Sequence, residues 1–161
     1  MTYKAKRTGT KVVTGMVRLS YANIHEPRGM DGQEPKYSVS LIIPKDDKDT
    51  LKAIQEAIAE AKENYKSKWG GKIPPNLKTP LRDGDNDRPD DEAYEDSCFV
   101  NANSTRKPQL VDLQGNKDLG PDDVYSGCYA RASINFFGYN TNGNKGIGCG
   151  LGNIQKLEDG E

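Results

Sequence analysis

The stretch YSGCYARASINFFGYNTNGNKGIGCGLGNIQK, residues 125–156, decides the fold. Asn140-Thr141-Asn142-Gly143-Asn144 is a strong turn signal between segments 125–139 and 145–157, so the stretch reads as a β-hairpin. Pairing around that turn sets Phe136 near Cys149 and Ile134 near Leu151. Side chains alternate across a strand. Cys128, Ala130, Ala132, Ile134, Phe136, Ile147, Cys149 and Leu151 then share an inward face. The outward face carries Tyr129, Arg131, Ser133, Asn135, Phe137 and Tyr139, with Gly146, Gly148, Gly150 and Gly152 opposite them.

That outward face admits two readings. Unpaired nucleic-acid bases expose π-faces, and stacking on an aromatic ring contributes about 1–3 kcal/mol per base. Tyr129, Phe137 and Tyr139 would offer stacking surfaces in a row, with the glycines leaving room for access. Arg131 among them could stack on a base or pair with a phosphate. Cross-strand aromatics also pack over glycines simply to repair a sheet, and pattern alone leaves both readings open. Cations that could follow a phosphate backbone are Lys11, Arg18, Lys72, Lys78, Arg106, Lys107 and Lys145.

Upstream, residues 11–22 alternate as a strand, with Val13, Val17, Leu19 and Tyr21 expected on the inner face and Gly15 marking a bulge or bend. Residues 23–35 hold Pro27, Gly29, Gly32 and Pro35 and read as a loop. Residues 36–43 form a second strand, with Tyr37, Val39, Leu41 and Ile43 inward and Pro44 as its stop. A helix is expected from about Asp47 to Lys68. Its apolar stripe is Leu51, Ile54, Ile58, Ala61, Tyr65 and Trp69, its cap Asp46 or Asp47, and its terminator Gly70-Gly71. Residues 70–96 show no apolar period and read as an acidic, Pro/Gly-rich insertion. Segments 97–103 and 108–113 read as short strands around a turn at 104–107.

The chain has 161 residues, enough for one domain with its own core. The fold class expected is mainly β with one long amphipathic helix. A net charge of −1 hides a segregation: residues 83–96 carry eight acids against one base, a net of −7. That leaves +6 elsewhere, and +9 once Glu158, Asp159 and Glu161 are also set aside. Distribution, not the sum, governs attraction to a polyanion. Cys98, Cys128 and Cys149 form no C-x-x-C pair and read as buried free thiols. Neither an apolar run of membrane-spanning length nor an apolar signal region after the basic N-terminus is present, so a cytoplasmic protein is expected.

Four strings carry a family resemblance: PPNLKTPLRDGD (74–85), DDEAY (90–94), FVNANS (99–104) and the hairpin stretch 125–156. Together they resemble a family of single-stranded DNA-binding proteins of tailed bacteriophages, over nearly the whole chain. The resemblance implies an OB-type five-stranded β-barrel, non-catalytic binding of single-stranded DNA, and a role in phage replication, recombination or repair. It also implies replication or recombination proteins as candidate partners, and residues 158–161 as a candidate remnant of an acidic tail. Exposed edge strands would favour a homodimer. An OB barrel usually places its helix after the third strand, whereas only two strands are read before Asp47 unless Gly15 splits the first.

Other classes fit poorly. Asp83, Asp85 and Asp87 alternate like a calcium loop, but Arg88 and Tyr94 stand where Gly and Glu are required. With a single histidine, His25, a soft-ligand zinc site lacks donors, so no metal or other cofactor is expected. There is no P-loop, nucleophile elbow or H-E-x-x-H. The acidic insertion reads as a solvated loop or as a mimic of DNA charge bordering the groove. The competing function is a phage structural or protein-interaction module.

Overall fold

The computed structural model describes residues 3–29, 32 and 34–160. The strands are β1 (Lys6–Thr8), β2 (Lys11–Val13), β3 (Val17–Arg28), β4 (Lys36–Pro44), β5 (Leu81–Asp83), β6 (Ser97–Ser104), β7 (Leu110–Val111), β8 (Tyr129–Thr141) and β9 (Asn144–Glu158). The helices are α1 (Lys48–Asn64) and the single turn α2 (Gly84–Asp87).

The hairpin forms as its sequence requires. Asn142 and Gly143 occupy the two-residue turn with φ of +52° and +87°, the conformation that matches the twist of the flanking strands. Phe136 pairs with Cys149 and Ile134 with Leu151. All eight residues expected on the inner face are buried. Fully burying a side chain such as Phe136 contributes about 1.5–3 kcal/mol, which fixes the register, since a slip of one would expose the whole set.

The pairings return on themselves. β8 pairs β3, β3 pairs β4, β4 pairs β6, β6 meets β9 in parallel at Asn103–Gly150, and β9 pairs β8. Inside this five-strand cycle one cluster joins Val17, Leu19, Leu41, Val100, Phe136 and Ile154. β1 and β2 extend the sheet beyond β8, with Lys11 opposite Asn135.

Gly15 does split the first segment. Its backbone N–H donates to Thr50 Oγ1 at 3.0 Å, and a Cβ there would lie 2.6 Å from the Tyr3 carbonyl oxygen. The break shifts the alternation, which corrects the expected inner face. Val12 is 1% exposed and points inward, whereas Val13 is 38% exposed. Tyr21, with φ +47°, is 55% exposed rather than inward. Among the described residues four strands therefore precede α1, but only β3 and β4 belong to the cycle.

Residues 23–28, expected as loop, continue β3 through a bulged stretch in which pairing is irregular between Asn23 and Arg28. A ladder already interrupted there tolerates Pro27. The expected short strands 97–103 and 108–113 do not pair with each other. β6 pairs β4, and β7, reduced to two residues, runs parallel to β9.

α1 starts at Asp47, whose carboxylate accepts from the Thr50 N–H at 3.1 Å. It ends at Asn64 and continues as a 3₁₀ turn, Lys66–Trp69, before Gly70 at φ +78°. Ala53, Ile54, Ala57, Ile58 and Ala61 face the strands. Its C-terminal end presses on Gly138, where a Cβ would sit 2.4 Å from Tyr65 Cβ. Trp69 is buried and donates its indole N–H to the Tyr139 carbonyl at 2.9 Å.

The insertion is structured. β5 pairs β6, and Tyr94, fully buried, packs edge-on against Phe99 at 5.0 Å and donates to Ser40 Oγ at 3.0 Å. Arg88 lies over the rings of Tyr21, Tyr94 and Phe99. Lys45 pairs with Asp83 and Asp85 at 3.0 and 2.7 Å, and these hydrogen bonds hold both carboxyls below the usual range. The segment covers the Ile42–Phe99 end of the β4–β6 outer face.

Candidate nucleic-acid interface

The outer face of β4–β6 has two ends with different chemistry. Beyond Ile42 and Phe99, the cross-strand pairs become Ser40–Asn101 and Ser38–Asn103, which are polar and lead to Lys36. This open end adjoins the tip of the hairpin. Between them lies a groove of about 460 Å³. Phe137 and Tyr139 from β8, Gly148 from β9, and Asn101 and Asn103 from β6 line it. Lys36, Lys78 and Arg82 stand at its edge, and among the described residues no carboxylate lines it.

The segment carrying Lys78 is fixed to the hairpin by backbone. The Lys78 carbonyl accepts from the Ile147 N–H at 2.8 Å, and Lys78 bridges to Gly146. Among the described residues, Lys36 and Lys78 take part in no ion pair, and Arg82 has only a loose contact with Asp87 at 3.6 Å.

The glycines opposite the aromatics do not stand empty. A Cβ on Gly148 would lie 2.6 Å from Phe137 Cζ, and one on Gly146 would lie 2.5 Å from the Tyr139 hydroxyl. Each ring therefore leans across its facing glycine. The inner side of the ring repairs the sheet, and the half-exposed remainder borders the groove. The packing of aromatics over glycines is present at these positions, and it leaves part of each ring facing the groove.

The rest of the expected set is scattered. Tyr129 lies at the far end of β8, about 33 Å of strand from Tyr139 at roughly 3.3 Å per residue. Arg18 sits over its ring at 5.8 Å and donates to the Gly127 carbonyl. Arg131 donates Nε to the Thr14 carbonyl and Nη2 to the Lys4 carbonyl, both at 2.9 Å, and lies over the Tyr3 ring. Lys145 is exposed beside the hairpin turn, next to the groove's end. Arg106 and Lys107 occupy the exposed turn after β6, and Lys72 the turn after the 3₁₀ segment. Lys11 lines a different depression, with Lys6.

Sequence reasoning missed Lys36, Arg82, Asn101 and Asn103 as groove residues. Their signal was present, since Arg82 falls within PPNLKTPLRDGD and both asparagines within FVNANS. Acids gather elsewhere. One depression is bordered by Asp112, Asp123, Glu158 and Asp159, and another by Asp87, Asp90, Asp91 and Glu92. Tyr125 donates its hydroxyl proton to Asp159, which Lys156 also pairs; these hydrogen bonds hold the Asp159 carboxyl low and tie down residues 158–160. Among the described residues no cluster of three or more metal-ligating side chains occurs, and no helix is long and apolar enough to cross a membrane.

Comparison with known proteins gives a consistent result. The single-stranded DNA-binding protein of bacteriophage Enc34, solved in complex with ssDNA, matches with a TM-score of 0.84 and 28% identity over 99% of this chain and 97% of that one. The same protein in a C-terminally truncated form matches at 0.82 and 27%, covering 100% and 97%. Gp2.5 of bacteriophage T7, with a TM-score of 0.62 and 18% identity over 94% and 93%, shares the fold. Protein p50 of Acyrthosiphon pisum secondary endosymbiont phage 1 is 30% identical, covering 94% of this chain and 85% of its own length. Residues 10–161 match the family described as Enterobacter phage Enc34, ssDNA-binding protein, and the chain belongs to that family.

Proposed function

We propose that the protein binds single-stranded DNA without catalysis, in the groove between the Lys78–Arg82 segment and the tip of the β8–β9 hairpin. Family membership supports the ligand class. One observation supports the place: Phe137 and Tyr139 sit together beside a groove edged by Lys36, Lys78 and Arg82 and, among the described residues, by no carboxylate. Bases stack on the two rings, each stack contributing about 1–3 kcal/mol. The three cations, with Lys145 at the open end, hold phosphates. Asn101 and Asn103 offer neutral donors and acceptors that suit bases of any sequence.

In this reading the closed cycle β3–β4–β6–β9–β8 is an OB-type barrel and the chain is one domain. α1, lying between its second and third strands, closes one end. The biological setting is phage DNA replication, recombination or repair. Tyr129, Arg131 and Arg18 belong to the scaffold on this account, because their polar groups already engage the protein's own backbone and rings.

Fluorescence anisotropy with matched single- and double-stranded oligomers at two salt concentrations tests the reading. The expected result is preference for the single strand and affinity that falls with salt. A preference for the duplex, or no binding at low salt, overturns it.

A further inference from the structure

A second depression continues the first along the hairpin. It has a volume of about 580 Å³ and is lined by Lys6 and Lys11 from the β1–β2 hairpin, Ser133 and Asn135 from β8, and Gly150 and Gly152 from β9. The aromatic groove ends at Gly148 and Cys149, and this depression begins at the next residue, Gly150. On β8 the corresponding step is from Phe137 to Asn135, the next outward position. The two floors are therefore one face of the same strand pair.

Four features set this depression apart from an ordinary surface hollow. Lys6 and Lys11 are exposed and form no ion pair among the described residues. Among the described residues no carboxylate lines it, unlike the acid-bordered depressions elsewhere. Val13 contributes an exposed apolar side chain to it. At the junction the floor is bare: a Cβ on Gly150 would meet only the Asn135 carbonyl oxygen at 3.5 Å and Phe137 Cε1 at 3.8 Å. Those are ordinary contacts, so the backbone there accepts a side chain, and only glycine leaves the passage open.

We propose that the bound strand does not end at the aromatic groove but runs on over Gly150 into the Lys6–Lys11 depression, which is a second subsite for the same single strand. From Tyr139 to Ser133 the track follows six residues of β8, about 20 Å at roughly 3.3 Å per residue. In the first half rings hold bases, and in the second Lys6 and Lys11 hold phosphates while Val13 offers a small apolar surface. A strand too short to reach Gly150 gains nothing from the second half. The inference rests on the single-strand reading of the first groove.

The test compares oligo-dT of about 3 and about 12 nucleotides; at roughly 3.4 Å of strand per stacked nucleotide the short one spans only the aromatic half of the track, and the long one covers all of it. Titrations use the full chain, the Lys6→Gln/Lys11→Gln double variant, and Gly150→Gln, which fills the junction at the near edge of the second depression. For the long oligomer, two lost phosphate contacts lower the salt slope by about 1.4 and the affinity at 0.1 M salt by about tenfold or more. Gly150→Gln lowers long-oligomer affinity in the same way. The double variant leaves binding of the short one unchanged. Equal losses for both lengths, or no loss for the long one, overturns the second subsite while leaving the first groove intact. If the unaltered protein binds neither length at low salt, the single-strand reading fails, and the second subsite with it.

Discussion

The two ends of β8 obey the same alternation and have opposite fates. At the Tyr129–Arg131 end, outward side chains turn back onto the protein: Arg131 donates to two backbone carbonyls and Tyr129 lies beneath Arg18. At the Phe137–Tyr139 end, outward side chains border a cation-edged groove. Period-two patterning says which face of the sheet a residue occupies. It does not say what lies over that face. The N-terminal segment and the β2–β3 break cover one end, while the Lys78 segment stops short of covering the other and makes a wall instead.

The largest effect should come from breaking the groove end. Phe137→Ala combined with Tyr139→Ala removes two stacking surfaces, each contributing about 1–3 kcal/mol. Affinity for oligo-dT should fall at least about thirtyfold by anisotropy. Thermal unfolding should shift down as well, because the rings also fill the space over Gly148 and Gly146.

Arg131→Ala should do the reverse. Hydrogen bonds from a charged donor contribute about 1.5–3 kcal/mol when removed from a folded site. The melting temperature should drop, with affinity of the folded protein changing less than about threefold. A large affinity loss with an unchanged melting temperature would move Arg131 into the binding surface.

Neutralising the groove cations should give an intermediate, additive signature. Each of Lys36→Gln, Lys78→Gln and Arg82→Gln should reduce the slope of log affinity against log salt by about 0.7. An unchanged slope in all three would place the phosphates elsewhere.

The smallest effect is expected at Asp87. Its contact with Arg82 is long and exposed, and such pairs contribute about 0–1 kcal/mol. Asp87→Asn should tighten binding by less than about fivefold. Deleting the insertion whole would instead uncover Ile42 and Phe99, so point substitution is the cleaner comparison.

Acid should separate the insertion from the groove in a similar graded way. Asp83 and Asp85 have lowered pKa values through hydrogen bonds from Lys45, so their docking contribution is present above the ordinary carboxylate range near 4 and is lost as pH falls through the lowered values. Amide exchange of residues 83–96 should rise at low pH before that of β8 and β9.

The hairpin was legible because two signals agree there, a turn of Asn and Gly and a strict alternation on both sides. α1 was legible because its stripe and cap coincide. Val13 was misplaced because a three-residue break changes the phase of alternation, and only the packing of Gly15 on Thr50 shows where the phase restarts. Of the expected site residues, Phe137 and Tyr139 line the groove and Lys145 lies beside its end. The cation set read from the sequence includes Lys78 but not Lys36 or Arg82, because β4 and β5 are brought to the hairpin by the cycle of pairings and by the Lys78–Gly146 bridge. Such closure depends on contacts distant in sequence, which local pattern does not encode.

Ultraviolet crosslinking of oligo-dT to the intact protein, with the adducted residues mapped by mass spectrometry, tests the central claim most directly. Adducts on Phe137 or Tyr139, with flanking ones in 78–82, are the expected result. Adducts confined to the Tyr129 end of β8, or to the acidic segment 83–96, would contradict it.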